Sequence, residues 1–175
     1  IKPVLGGGDL MRYYHNWKDL WIIGTFPALS LEIENFPSLR NYLLSNYDIR
    51  RLEQSGEKYL SLGFNARKKT SNKWFETQDQ ISYYKEFEKE KVAWLNLNRK
   101  WKFSFVEPGI YCEASLNFLS SNEYSKVLTG ILSSKVILWY FSNISFQQSA
   151  HHCKRRGHNP LIFITIIKGR HQSSR

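Results

Sequence analysis

Three short apolar segments follow one another between residues 91 and 119, and this succession constrains the fold more than any other feature of the sequence. The segments are "KVAWLNLN" (91–98), "KFSFVE" (102–107) and "YCEASLNFL" (111–119). Turn signals separate them, notably Pro108-Gly109. Phe103 and Phe105 alternate with polar neighbours, which is typical of a half-buried antiparallel strand. With a further strand at 18–26, the sequence predicts a mainly antiparallel sheet.

Helical patterns lie on both sides of these strands. Residues 36–46, with a proline in the first turn, and residues 122–144, with a broad apolar stripe, both predict helices. Residues 78–90 predict a short helix with Asp79 as its N-cap, and residues 48–73 predict mostly loop. No internal repeat is visible. We therefore expect an α+β fold, with helices segregated from the sheet, in a single domain.

The composition is that of a folded chain. A length of 175 residues is enough for one domain with a core, and the hydrophobic fraction of 42% argues against disorder. Aromatic residues make up 15% of the chain. Aromatic side chains build cores, and they also serve as platforms on which nucleic-acid bases stack. Composition alone does not separate these two uses.

The charge of the chain is unevenly distributed. The formal net charge is +10, but residues 151–175 contain six Lys and Arg and no acid. A basic excess indicates a polyanionic partner. Because much of the excess lies in the last 25 residues, the overall charge is weaker support for such a partner than a local cluster between residues 67 and 73.

Cysteine use and the first residues indicate the setting of the chain. Cys112 and Cys153 are too few for a disulfide framework and suit a reducing cytoplasm, where we expect the protein to act. No apolar run reaches the length of a membrane span. The chain begins without Met or a signal-peptide pattern, so we expect an excised or truncated domain.

The segment 65–80 combines cations with amides and carboxylates, which suits a surface that reads DNA. Lys and Arg neutralise phosphates and fix the register on the duplex, whereas Arg, Asn, Gln and Glu pair with base edges in the major groove. Outside this segment, Arg12 and Tyr13 add a further cation and a further aromatic ring. The predicted DNA-contacting residues are Arg12, Tyr13, Arg67, Lys68, Lys69, Asn72, Lys73, Trp74, Glu76 and Gln78.

Two alternatives to DNA contact stay open for these residues. The segment 65–80 can be a solvated loop in which Trp74 and Phe75 pack inward. Arg12 can be structural, paired with an acid such as Asp9.

Four motifs occur along the chain in an order that is itself informative. They are "KPVLGGGDLMRY" (2–13), "FPSLRNYL" (36–43), "RKKTSNKWFETQDQISYYKEFEKEKVAW" (67–94) and "GILSSKVILWYF" (130–141). In this order they resemble the motifs of the TaqI-like C-terminal specificity domain of type IIG restriction–modification enzymes. Gly6 stands where that family often has Arg, and Ser133 stands where it has Asn.

The resemblance implies a DNA target-recognition domain over residues 1–149, followed by an unassigned basic tail at 150–175. In that family, chemistry takes place in a separate, more N-terminal domain, an adenine-N6 methyltransferase that is in some enzymes fused to an endonuclease. The implied partners are double-stranded DNA and that methyltransferase domain. S-adenosylmethionine, and Mg²⁺ where a nuclease is present, are the cofactors implied for the missing domains. The divergent tail is consistent with a shifted reading frame.

The chain itself lacks catalytic motifs. It has no Asn-Pro-Pro-Tyr loop for a flipped base and no Glu-x-Lys for a nuclease metal. The "GGGD" at 6–9 follows no strand of a βαβ unit, so a turn explains it better than a cofactor loop. "HHCKRRGH" (151–158) has an irregular spacing for a zinc site. We predict no catalytic, cofactor-binding or metal-binding residue here.

Two other functions stay open at this point. The exposed aromatics of a single-stranded nucleic-acid binder would produce a similar composition. A protein-interaction module, with its aromatics in the core and an incidental charge, would also do so.

Overall fold

A computed structural model describes residues 1–96 and 100–144, together with the backbone of the strand 167–168. It divides into two compact units, residues 24–82 and the remainder of the chain, within what the sequence predicts as one domain. The elements are β1 (Lys2–Leu5), β2 (Leu20–Ile22), α1 (Pro37–Asn46), α2 (Ile49–Leu52), β3 (Lys58–Tyr59), β4 (Phe64–Asn65), β5 (Lys91–Leu95), β6 (Ser104–Val106), β7 (Tyr111–Cys112), β8 (Leu116–Ser120), α3 (Ser125–Leu132), α4 (Lys135–Ile144) and β9 (Ile167–Lys168).

The larger unit is built on the strands that the sequence predicts. β5 pairs antiparallel with both β6 and β8. A second sheet has the order β7-β1-β2-β9, with β1 and β7 parallel and the other pairs antiparallel. The core between them consists of Leu5, Leu10, Ala93, Val106 and Leu116. The predicted α+β class is confirmed.

A buried lysine lies in the first position of β5. The side chain of Lys91 is fully buried, and its Nζ donates to the carbonyl oxygen of Glu107 at 3.0 Å. Burial lowers the pKa of Lys91, because removal from water disfavours the ammonium ion. Burial likewise raises the pKa of Cys112 to about 11. At neutral pH the side chain of Cys112 is therefore a thiol rather than a thiolate, and it packs against the core.

Three predicted elements are shorter than predicted or interrupted in the structure. Only Tyr84–Glu88 of the predicted helix 78–90 is helical, as a 3₁₀ helix, and Asp79 caps nothing. The predicted strand 111–119 is broken, because the turn at Glu113 accepts a backbone hydrogen bond from Leu116. The predicted helix 122–144 is two helices, since the chain turns at Ser133 and Ser134.

The fully buried side of helix α3 is not the apolar stripe that the sequence predicts. Its buried residues are small and polar, and they recur every fourth position at Ser125, Thr129 and Ser133, which follows the last residue of the helix. Their hydroxyl groups donate to backbone carbonyls, so they are hydrogen-bonded although buried. Val127 and Ile131, which the amphipathic pattern places in the core, are more than half exposed. Half of the apolar stripe of α3 therefore faces solvent, whereas Leu128 and Leu132 are half-buried.

The smaller unit, residues 24–82, contains α1, α2 and the hairpin of β3 and β4. Its buried apolar residues are Phe26, Ile33, Leu52, Ala66 and Phe75. Helix α1 begins at a proline as predicted but contributes no buried residue. Most of residues 48–73 lie outside helices and strands, as predicted, but the prediction misses α2 and the hairpin.

No helix in the described ranges is both long and apolar enough to cross a membrane.

Candidate nucleic-acid interface

Eight of the ten predicted DNA-contacting residues lie in the smaller unit, between residues 67 and 78. This stretch has no helix or strand, and buried polar side chains hold it in place. Arg12 and Tyr13 lie in the larger unit. The ten residues therefore belong to two separate groups.

Arg67 organises the stretch from within. Its guanidinium donates from Nε and from one terminal nitrogen to the carbonyl oxygen of Leu52. Its two terminal nitrogens also donate to the carbonyl oxygens of Trp74 at 2.5 Å and Glu76 at 2.8 Å. Burial lowers the pKa of Arg67 to about 10, so the group stays cationic at neutral pH. Because four of its five N–H groups already donate to backbone carbonyls, Arg67 is not among the proposed phosphate contacts.

Gln54, absent from the sequence prediction, is the second organising side chain. It is buried, and its Nε2 donates to the carbonyl oxygens of Lys73 at 3.2 Å and Glu76 at 2.9 Å. Its Oε1 accepts from the hydroxyl of Thr70 at 2.6 Å. A glutamine followed by turn residues carries no sequence signal for this role, because its partners are carbonyls up to 23 residues away.

Asn72 and Glu76 also serve the fold of this stretch. Asn72 donates from Nδ2 to the carbonyl oxygens of Thr77 and Gln78 at 2.9 and 3.0 Å. Its Oδ1 accepts from Gln80 at 3.2 Å. Glu76 is buried, and its Oε2 accepts from the backbone N–H of Lys73 at 2.7 Å. Neither side chain is free to meet a base edge in this arrangement.

The side chains of Lys73, Trp74 and Gln78 are engaged to different degrees. Lys73 is exposed but its ammonium pairs with Glu32 at 2.7 Å, which offsets its charge. Trp74 is half-buried with its ring edge-to-face against Phe75, as the inward-packing alternative expects. Gln78 donates to the carbonyl oxygen of Lys68 at 3.3 Å.

Lys68 and Lys69 are the two cations of the cluster that reach solvent without a partner. Both are exposed, and neither side chain makes an ion pair or hydrogen bond within the described residues. They follow Arg67 directly on the chain, so the guanidinium clamp fixes the backbone that carries them. Gly56 lies against this backbone at φ +75, and a Cβ there would stand 3.2 Å from the Cβ of Lys69. The lysine pair therefore lies on an anchored backbone segment.

The neighbouring hairpin adds polar and cationic groups beyond the ten predicted DNA-contacting residues. Lys58 and Asn65 are cross-strand partners and both are exposed. The guanidinium of Arg51 lies over the ring of Phe64, 4.7 Å from its centroid. The ladder continues below the hairpin, where Gly56 donates to the carbonyl of Arg67. One continuous ribbon thus joins the hairpin to the lysine pair.

Arg12 and Tyr13 form a separate local arrangement. Arg12 donates to the carbonyl oxygen of Ser133 at 2.6 Å, where α3 ends, so it caps a helix C-terminus. The expected pairing with Asp9 is wrong, because Asp9 is buried and binds Lys18 instead. The Arg12 guanidinium also lies 4.7 Å from the ring of Tyr13. These contacts join the first and last of the four sequence motifs.

Tyr13 has a strained backbone and an exposed ring. Its φ of 78° lies in the left-handed region, which non-glycine residues adopt uncommonly. Backbone hydrogen bonds on both sides hold it there, from Tyr13 to Phe103 at 2.9 Å and from Phe105 to Tyr13 at 3.0 Å. The residue as a whole remains 47% exposed. A strained residue held with an exposed aromatic ring is a reasonable contact residue for a ligand.

No cluster of three or more His, Cys, Asp or Glu side chains within 1–96 and 100–144 has the geometry of a metal site. The zinc alternative for "HHCKRRGH" lies outside the described residues.

Comparison with known protein families identifies a match over most of the chain. Residues 2–158 match the family model described as the TaqI-like C-terminal specificity domain. The match extends past the boundary at residue 149 that the sequence motifs suggest. A search of curated proteins found no match.

Proposed function

We propose that this chain, which belongs to the family of TaqI-like C-terminal specificity domains, binds double-stranded DNA in a sequence-specific manner. Domains of this family recognise DNA targets in restriction–modification systems. Methyl transfer to adenine N6 is then the task of another domain of the parent protein. In that arrangement S-adenosylmethionine, and Mg²⁺ for any nuclease, bind outside this chain. The duplex is held while the catalytic domain extrudes its target base.

The observation that carries this proposal is the anchored lysine pair. Lys68 and Lys69 are exposed without partners among the described residues, and the clamp of Arg67 fixes the backbone on which they stand. Because the hydrogen bonds of Arg67 already fix the backbone at this point, only the two lysine side chains have to be ordered when they meet phosphates. They therefore set the register of the protein on the duplex, and residues beside them read bases.

Salt-dependent binding to duplex DNA tests the proposal. We expect fluorescence anisotropy with a labelled random-sequence duplex to show a Kd that rises steeply with salt. Each neutralised phosphate contributes a slope of about −0.9 in the logarithm of the binding constant against the logarithm of salt concentration. The same strand without its complement is the control. Tighter binding to the single strand would favour the single-stranded alternative, and no binding to either at low salt would overturn both.

A second role, contact with the rest of the parent protein, is favoured by the outward apolar face of α3 and α4. Val127 and Ile131 on α3, with Val136 and Trp139 on α4, are between 52% and 74% exposed. Gly130 lies on the same side of α3, and a Cβ there would meet nothing within 4 Å. A glycine in a helix costs about 1 kcal/mol relative to alanine, and packing among the described residues gives no reason for it. We propose that the methyltransferase domain covers this face.

Hydrogen–deuterium exchange in the full parent protein checks this second role. We expect α3 amides to exchange at least about tenfold more slowly in the parent protein than in this chain alone, because the docked face excludes water. Replacing Val127 and Ile131 by aspartate in the parent protein is expected to remove that protection. Equal protection in the chain alone and in the parent protein would contradict the proposal, and slower exchange at high concentration of the chain alone would indicate a second copy instead.

A further inference from the structure

The hairpin of β3 and β4 ends in an apolar tip that nothing in its own unit covers. Leu60 is 84% exposed, the highest value of any large apolar residue in the described part of the chain, and Leu62 is 44% exposed. Both lie in the 3₁₀ turn Leu60–Leu62 that joins the two strands. Gly63 closes the turn at φ +71, which a residue with a side chain adopts only with strain.

The stem of the hairpin is packed against its own unit, and these contacts support the tip. The rings of Tyr59 and Phe64 pack across the two strands, with their centroids 5.5 Å apart. The guanidinium of Arg51 covers Phe64 from the helix before the hairpin. Below the stem the ladder continues from Glu57 to Ala66, whose side chain is buried. The exposed leucines therefore do not reflect a loose loop.

Exposed lysines lie along the ribbon that ends in the apolar tip. Lys58 is exposed at the start of the stem, and Lys68 and Lys69 follow the second strand at its base. Glu57 is the exposed acid of this ribbon, whereas the charge of Arg50 is offset by Asp48 at 2.5 Å. An apolar protein partner would bury these lysines at a cost, whereas a polyanion would use them. The charge pattern thus favours DNA as the occupant of the tip.

The dimensions of the ribbon fit the major groove. At about 3.3 Å per residue, the tip lies roughly 13 Å beyond Gly56, which stands opposite Lys69. The major groove is about 8.5 Å deep and about 12 Å wide, and it admits a two-stranded β-ribbon, whereas the minor groove is about 6 Å wide. Lysines at the base can therefore reach phosphates while the tip reaches the base edges.

The chemistry of the tip selects what it can recognise there. Leucine side chains donate and accept no hydrogen bonds, so they cannot pair with the polar edges of bases. The one apolar group that bases present in the major groove is the 5-methyl of thymine. We propose that Leu60 and Leu62 contact thymine methyl groups in the major groove and so make A·T pairs part of the target. This inference rests on the proposed function and names the base class that the domain reads.

The test compares thymine with uracil, which lacks only the methyl group. The probe is a pool of duplexes enriched by the wild-type chain from random sequence, synthesised either with thymine or with uracil. We expect the wild-type chain to bind the uracil pool about fourfold more weakly for each lost methyl contact. The variant Leu60→Ser, Leu62→Ser is expected to bind both pools equally, with an affinity close to that of wild type for uracil DNA.

The controls separate the possible failures. Leu119→Ser, an exposed leucine of the larger unit, is expected to leave the thymine preference unchanged. Circular dichroism checks that each variant is folded. A wild-type chain that binds both pools equally would overturn this inference alone, and a wild-type chain that binds no duplex would overturn the proposed function with it. A preference that persists in the double leucine variant would place methyl recognition elsewhere and also overturn it.

Discussion

Replacing Lys68 and Lys69 together by glutamate is expected to weaken binding to duplex DNA by on the order of a hundredfold at 0.1 M salt. Both ammonium groups are exposed and unpaired in the described structure, so their charge is fully available to phosphates. Loss of two phosphate contacts makes the salt dependence shallower by about two in its logarithmic slope. Anisotropy titrations with one duplex at several salt concentrations measure both quantities.

A matched double variant controls for the change in net charge. Lys85 and Lys135 are exposed lysines of the larger unit, and neither makes an ion pair within the described residues. Their replacement by glutamate changes the formal charge by the same amount, and we expect less than about a threefold effect, since long-range charge is screened beyond about 10 Å. Equal losses in both variants would mean that binding follows net charge, and the lysine pair would have no special role.

Replacing Arg67 by alanine is expected to lower the free energy of unfolding of the smaller unit by about 3 kcal/mol or more. The change leaves the carbonyl oxygens of Leu52, Trp74 and Glu76 without the donor that they share. Arg67→Lys is not expected to restore stability, because an ammonium on a flexible chain does not reproduce the planar fork of donors. Urea unfolding followed by tryptophan fluorescence gives the free energies.

Arg51 provides the comparison for this prediction. It is an exposed arginine of the same unit, and its described contact is with the ring of Phe64. Arg51→Ala is expected to cost less than about 1 kcal/mol, in the range of an exposed cation–π contact. If Arg67→Ala instead kept its stability and lost only DNA affinity, Arg67 would be a DNA-contacting residue and the structural role would be wrong.

The two predictions separate functions that the sequence alone joins in one basic cluster. Arg67, Lys68, Lys69 and Lys73 are four cations within seven positions, and by composition they are equivalent. In the folded unit one is a clamp for carbonyls, one is paired with Glu32, and two face solvent. Carbonyl and carboxylate partners that are distant in the sequence create this difference. The local sequence pattern therefore cannot predict it.

Helix α3 shows why sequence periodicity does not always predict which face of a helix is buried. A stripe of apolar residues at helical spacing normally identifies the buried side. Here Ser125, Thr129 and Ser133 occupy that side, because their small hydroxyl side chains can pack closely and donate to carbonyls. Periodicity detects a helix and its two faces, but the choice between the faces depends on which surface the neighbouring elements provide.

Several features of this protein can be predicted from its local sequence alone. The alternating strands from 91 onward, the helix that starts at Pro37 and the order of four motifs are all local, and they determined the α+β class and the family. Backbone preferences act over a few residues, so a linear pattern contains them. The roles of Arg67, Gln54 and the hairpin tip were decided only by tertiary structure, because each depends on which carbonyls, rings or solvent the folded chain brings to that side chain.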